Sequence, residues 1–142
     1  MNPVRELLRK RENVIHKVAP EATVFDGLKL LAQYSIGAML VMDQERLVGI
    51  FSERDYTRKV ALEGKNSRET RVADIMATEV ITVGPDTRTR ACMELMSKNR
   101  IRHLPVVENG KVIGMISIRD IMNDIIADNE HTIAQLQTYI SS

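Results

Sequence analysis

The sequence predicts a mixed α/β (α+β) fold: two tandem β-α-β-β-α units packed about a pseudo-twofold axis. Three observations predict it. Sliding the chain along itself by 65 residues aligns 18–56 with 83–121 without a gap. Within each copy the apolar spacing passes from strand to helix, to two strands, to helix, in the same order. The second copy also carries Asn109-Gly110 between two apolar runs, a strong hairpin signal because both turn positions need positive φ. A period this long, present twice, marks a duplicated domain rather than a solenoid. One copy of about 50 residues is too small to bury a good core alone, so two copies packed face to face form the expected unit. The expected division is 1–66 for the first unit and 67–142 for the second, with a polar linker at 64–71.

Each element has its reason. A short extended piece opens each copy, at 14–18 and 80–83, closed by Pro20 or Pro85. A helix follows, because Val24, Leu28 and Leu31 recur at i, i+4 and i+7; Met93 and Met96 continue that face in the second copy. Thr23 is placed to cap the first helix, and Asp86 or Thr87 the second. Two strands come next, 38–42 with 47–51 and 104–107 with 112–116, joined by Asp43-Gln44-Glu45 and by Asn109-Gly110. A last helix starts after Ser52 or Ser117. The first ends near Gly64, a natural C-terminal cap. Residues 72–76 are expected to lead into the second unit. The tail from 121 to 139 reads as a longer helix, with apolar residues at 121, 125, 126, 133, 136, 139 and 140.

Composition narrows the function. Apolar residues make up 44% and aromatics 4%, with no Trp, so the core is aliphatic. Met39, Met42, Met76, Met93, Met96, Met115 and Met122 serve as its adaptable filler. The balance of 20 Lys plus Arg against 19 Asp plus Glu speaks against a nucleic-acid binder. The cluster Arg9, Lys10, Arg11 reads as a solvated face. Cys92 is the lone cysteine and sits in an apolar helical stretch, which reads as a buried, inert thiol. No signal peptide or membrane span is apparent, so the cytoplasm is the expected compartment. His16, His103 and His131 show no metal-ligand spacing. Ser52 and Ser117 lack a paired base, so no catalytic residue and no enzyme activity are expected.

The chemistry lies in one string found twice: Gly49-Ile50-Phe51-Ser52-Glu53-Arg54-Asp55 and Gly114-Met115-Ile116-Ser117-Ile118-Arg119-Asp120. Two readings stand side by side. Ser with an acid three residues on resembles a capping box, which merely starts a helix. The same geometry also makes an anion site, since a helix N-terminus presents free N–H groups and positive potential. Ser52 and Ser117 add a hydroxyl, and Arg54 and Arg119 a guanidinium suited to phosphate oxygens. Asp55 and Asp120 repel phosphate but suit the vicinal hydroxyls of a ribose. A cap alone requires neither the Arg nor the Gly, which favours a nucleotide site.

Both repeats resemble cystathionine-β-synthase (CBS) domains, and the tandem resembles a stand-alone CBS-pair protein. The most specific elements are Asp74-Ile75-Met76 before Val80-Ile81-Thr82-Val83, then Ile101-Arg102-His103-Leu104-Pro105-Val106-Val107, then the two Gly-x-x-Ser-x-x-Asp strings. The resemblance implies a regulatory module that binds AMP, ADP, ATP, S-adenosylmethionine or NAD(H) in clefts between the two units. It implies that Asp55 and Asp120 hold ribose, and that Ser52, Arg54, Ser117 and Arg119 hold phosphate. Ile36-Gly37-Ala38 and Ile101-Arg102-His103, with Pro105 in the second copy, would line base and sugar, and Thr82 would approach from the first strand. It also implies a homodimer and a separate protein target, with the expected ligand AMP or NAD(H). The alternative is a structural dimerisation module with vestigial clefts. The first copy departs from the pattern: Ser35-Ile36-Gly37-Ala38-Met39-Leu40 lacks the Arg-His and the Pro.

Overall fold

A computed structural model describes residues 2–10 and 14–141, side chains at 131–133, 135, 136 and 139–141 excepted. The tail positions Ile133, Leu136, Tyr139 and Ile140, together with His131 and Arg11, therefore lie outside the description. In chain order the elements are α1 (Val4–Arg9), β1 (Lys17–Val18), α2 (Val24–Tyr34), β2 (Ala38–Asp43), β3 (Arg46–Ser52) and α3 (Glu53–Tyr56), which continues as a π-helical turn (Thr57–Ala61). Then follow α4 (Val72–Ile75), α5 (Thr89–Asn99), β4 (His103–Glu108), β5 (Lys111–Ser117) and α6 (Ile118–Ser141).

The duplication holds to the residue. α2 maps onto α5, β2 onto β4 and β3 onto β5 with the same 65-residue offset. Both hairpins slip register by one at equivalent places, between Val41 and Met42 and between Val106 and Val107. Such a bulge bends the strand and raises its twist. Gln44, Asn109 and Gly110 take positive φ at the hairpin tips. The first connector is thus the two residues Gln44-Glu45; β2 runs one residue longer than its apolar core, and β3 one residue longer at each end. The equivalent helices α2 and α5 each end on a left-handed residue, Ser35 and Arg100. There the N–H of Ile36 bonds back to Leu31 and that of Ile101 to Met96, each at 3.0 Å. This closes the helix end without glycine.

The opening strands are shorter than their apolar runs. β1 pairs in parallel with β2 through Lys17 and Val18 only. Its counterpart shrinks to a single bridge from Val83 to Val106. Gly64 takes φ +68° after the π-helical turn, with Lys65 N–H bonded to Val60 at 3.0 Å, which ends that helix as expected.

The chain forms two compact units, cut differently from the contiguous halves 1–66 and 67–142: residues 2–10 join 82–141, and Val14–Ile81 forms the other. Burial explains the cut. Val72 and Ile75 of α4 are core residues of the first-repeat unit, packed with Val24, Leu31, Met39 and Phe51. The N–H groups of Val72 and Ala73 donate to Ala22 and Pro20 at 2.8 and 3.0 Å. Residues 72–76 therefore complete the first repeat rather than lead into the second. α1 does the same for the second repeat: Val4 and Arg5 donate to Thr87 and Pro85, each at 2.8 Å, with Val4, Leu7 and Leu8 buried.

A buried polar knot fixes the second-repeat unit. Asp124 is 6% exposed and Thr89 fully buried. Asp124 accepts from Asn2 Nδ2 at 2.7 Å and from Thr89 Oγ1 at 3.1 Å. A buried carboxylate needs such donors to offset lost hydration. The knot also explains a departure at the start of α5. Its N-cap is Arg88, which makes no side-chain cap, because the Thr89 N–H finds the Asn2 carbonyl at 3.0 Å. Thr87 Oγ1 instead accepts from Gly84 N–H at 3.2 Å, and Asp86 meets Arg5 at 3.5 Å. Thr23 does cap α2, accepting from the Asp26 N–H at 3.1 Å. Met39 and Met96 are core residues, but Met122 is 53% exposed, since it faces outward on α6.

Candidate functional site

The two strings found in the sequence sit at matching strand–helix junctions. Ser52 ends β3 and Ser117 ends β5; α3 and α6 begin at the next residue. Both junctions close as capping boxes. Asp55 N–H donates to Ser52 Oγ at 3.1 Å, while Ser52 N–H and Oγ donate to Asp55 Oδ2 at 3.2 and 2.8 Å. In the second copy Asp120 N–H donates to Ser117 Oγ at 3.2 Å, and Ser117 N–H and Oγ donate to Asp120 Oδ2 at 2.7 and 3.1 Å. A hydroxyl has one proton, and here it goes to the aspartate. Each serine therefore meets a phosphate as a donor only if its box opens. Each aspartate caps through one of its two oxygens. Arg54 and Arg119 stay exposed and, among the described residues, enter no ion pair.

The residues expected to face base and sugar meet these junctions within each repeat. The N–H of Glu53 donates to Gly37 O at 3.0 Å, and that of Ile118 to Arg102 O at 2.9 Å. Ala38 stands opposite Ser52 and His103 opposite Ser117 in the ladders. Ile36 and Ile101 are half-buried, Gly37 and Arg102 exposed, Ala38 and Pro105 buried. Pro105 has no N–H to offer, and its carbonyl takes the Val83 N–H at 3.0 Å. Thr82, exposed, immediately precedes Val83 and so flanks β4.

Burial holds the His103 imidazole below its ordinary pKa, against the nearby Asp120 carboxylate and helped by the Arg102 charge. The buried Cys92 thiol is pushed up to about 11, chiefly by desolvation. That keeps the thiolate scarce at neutral pH. No three His, Cys, Asp or Glu side chains among the described residues cluster as metal ligands.

The glycine of the string has a packing reason. A Cβ on Gly49 would stand 2.6 Å from Met76 Sδ and 2.9 Å from Ala77 O. Ile50 and Ala77 exchange both backbone hydrogen bonds there, at 3.0 and 2.9 Å. Gly49 thus serves the docking of the segment after α4. Sequence reasoning missed Lys59, whose Nζ lies 3.4 Å from Asp55 Oδ1. Its i, i+4 spacing from Asp55 was the available signal.

Two structurally equivalent α/β repeats, each presenting Ser, Arg and Asp at a strand–helix junction, define the class of this protein. The CBS domain family matches residues 4–62 and 72–127, and the chain belongs to it. A mitochondrial CBS domain-containing protein of Arabidopsis thaliana is 41% identical over 83% of the chain, which spans 60% of that relative's length. A solved CBS-domain protein of Burkholderia ambifaria is 43% identical with TM-score 0.87, covering 89% of this chain and 96% of that one. A CBS-domain protein of Agrobacterium tumefaciens is 33% identical with TM-score 0.83, covering 87% and 98%. CBS domains commonly bind adenine nucleotides, and proteins built from such pairs are generally regulatory. No helix among the described residues is long and apolar enough to cross a membrane.

Proposed function

We propose that this protein is a regulatory sensor that binds AMP, or a related nucleotide such as NAD(H), at its two strand–helix junctions and signals to a separate protein target. One observation carries the reading. In both repeats the backbone that opens the second strand is hydrogen-bonded to the first helical N–H after the serine. This brings the segments read for base and sugar against the Ser, Arg and Asp read for phosphate and ribose. A carboxylate, which accepts several hydrogen bonds, suits a diol, and the exposed guanidiniums suit a phosphate. ADP and ATP are secondary candidates, because each string supplies one arginine for a longer phosphate chain, and S-adenosylmethionine, which carries no phosphate, is another. The proposed assembly is a homodimer. The proposed compartment is the cytoplasm, with the mitochondrion of the Arabidopsis relative's name as the alternative.

A second reading has its own observation. Both serines and both aspartates are already occupied as capping boxes, which suits a structural dimerisation module that binds nothing. Mass spectrometry of ligand carried through purification, with melting shifts in AMP and in GMP, separates the two. The sensor predicts a co-purified adenine nucleotide and a larger shift with AMP. A bare protein that neither nucleotide stabilises supports the structural module.

A further inference from the structure

Lys59 touches two things at once. Its ammonium lies 3.4 Å from Asp55 Oδ1 and donates to the carbonyl of Ile75, the last residue of α4, at 2.9 Å. The other oxygen of Asp55 is held by Ser52. Lys59 thus connects the carboxylate of the first junction to a docked helix. The same helix reaches the junction from a second side. Just beyond it, Ala77 pairs with Ile50 on β3, two residues before Ser52, and Met76 fills the space left by Gly49.

The second repeat has no lysine at the equivalent position. The residue equivalent to Lys59 is Asp124, which points its carboxylate at Asn2 and Thr89. An acid there holds a docked segment by accepting hydrogen bonds, and it offers no cation to Asp120. The two junctions share their caps but differ in what stands one turn along the helix.

We infer that Lys59 couples ligand occupancy at the first junction to the docking of α4. The inference rests on the nucleotide reading above. A ribose hydroxyl donating to Asp55 Oδ1 takes lone-pair density that otherwise holds Lys59. The ammonium then turns more fully to the Ile75 carbonyl, and α4 tightens. By linkage, a tighter α4 raises affinity at that junction equally.

The test uses the full chain carrying Asp120→Ala, so that the first junction alone takes ligand. AMP affinity is read by calorimetry, and hydrogen exchange is read at the amides of 72–77, with and without saturating AMP. Those amides are expected to exchange at least threefold more slowly with AMP. Lys59→Gln keeps a donor for Ile75 but removes the ammonium that competes for Asp55; it should fold, bind AMP at least as tightly and lose the slowing. Lys59→Arg should restore it. Slowing that persists in Lys59→Gln, or no slowing in the Asp120→Ala chain despite measured AMP binding, overturns the coupling. Absence of AMP binding in the Asp120→Ala chain overturns the first-junction reading itself, and is seen by calorimetry independently of exchange.

Discussion

Each junction aspartate has two oxygens and two kinds of work. One oxygen closes a capping box, a contact worth about 1 kcal/mol to a helix start. The remaining lone pairs are what the nucleotide reading assigns to ribose. Asp55→Ala and Asp120→Ala should therefore each lower stability by about 1 kcal/mol while leaving the fold intact, as a thermal melt will show. His103 gives a pH signature. Its folded pKa lies below the ordinary 6.5, so the unfolded chain binds the extra proton first as pH falls. Its contribution is fully present above that value and is lost as pH drops through it toward the folded pKa. Melting should fall below pH 6.5 with a shallower slope in His103→Gln, and an NMR titration of the imidazole should report the lowered pKa directly. Cys92, with its raised pKa and full burial, should resist alkylation at pH 8 until the protein unfolds. At this scale the sequence was informative where a residue type repeats. Ser, Arg and Asp stood out because they occur twice at one offset. Lys59 and Asp124 stayed hidden because that same offset pairs opposite charges.

The elements were legible wherever the pattern is local. The i, i+4, i+7 spacing marked α2, and alternating apolar runs with Asn109-Gly110 marked the second hairpin. Long-range docking was not legible. The segments 2–7 and 70–75 are alike, as in Val4 and Val72 or Leu7 and Ile75, but at an offset of 68 instead of 65. A single sliding comparison passes over them, and no local pattern reveals which repeat buries them. The missing side-chain cap of α5 has the same origin, because a residue more than eighty positions upstream satisfies its first amide. Two variants test the element-scale account. Gly49→Ala forces a Cβ against Met76 and the Ala77 carbonyl; it should cost about 1–3 kcal/mol, with the melt falling accordingly. Ser35→Gly should do the opposite. The left-handed conformation of Ser35 costs a side-chain-bearing residue roughly 1–2 kcal/mol. Glycine returns about 0.5–1 kcal/mol of that through unfolded-state entropy. A net gain of roughly 0.5–1 kcal/mol should appear in denaturant unfolding.

For the whole molecule, duplication makes two comparable junctions on one chain, and family membership makes nucleotide sensing the reading to test. Light scattering should report twice the 16.1 kDa chain mass, as the proposed homodimer requires; the single-chain mass at micromolar concentration would contradict it. The central claim is that the junction aspartates bind an adenine nucleotide. Its most direct test is calorimetric titration of AMP into the wild type, the two single alanine variants and the double variant Asp55→Ala/Asp120→Ala. Loss of a hydrogen bond to a charged acceptor is worth roughly 1.5–3 kcal/mol, so each single change should weaken one site about tenfold to a hundredfold. The double variant should bind no measurable AMP while remaining folded. Unchanged AMP affinity in the double variant, with only its melting temperature lowered, would reduce both aspartates to helix caps and contradict the account.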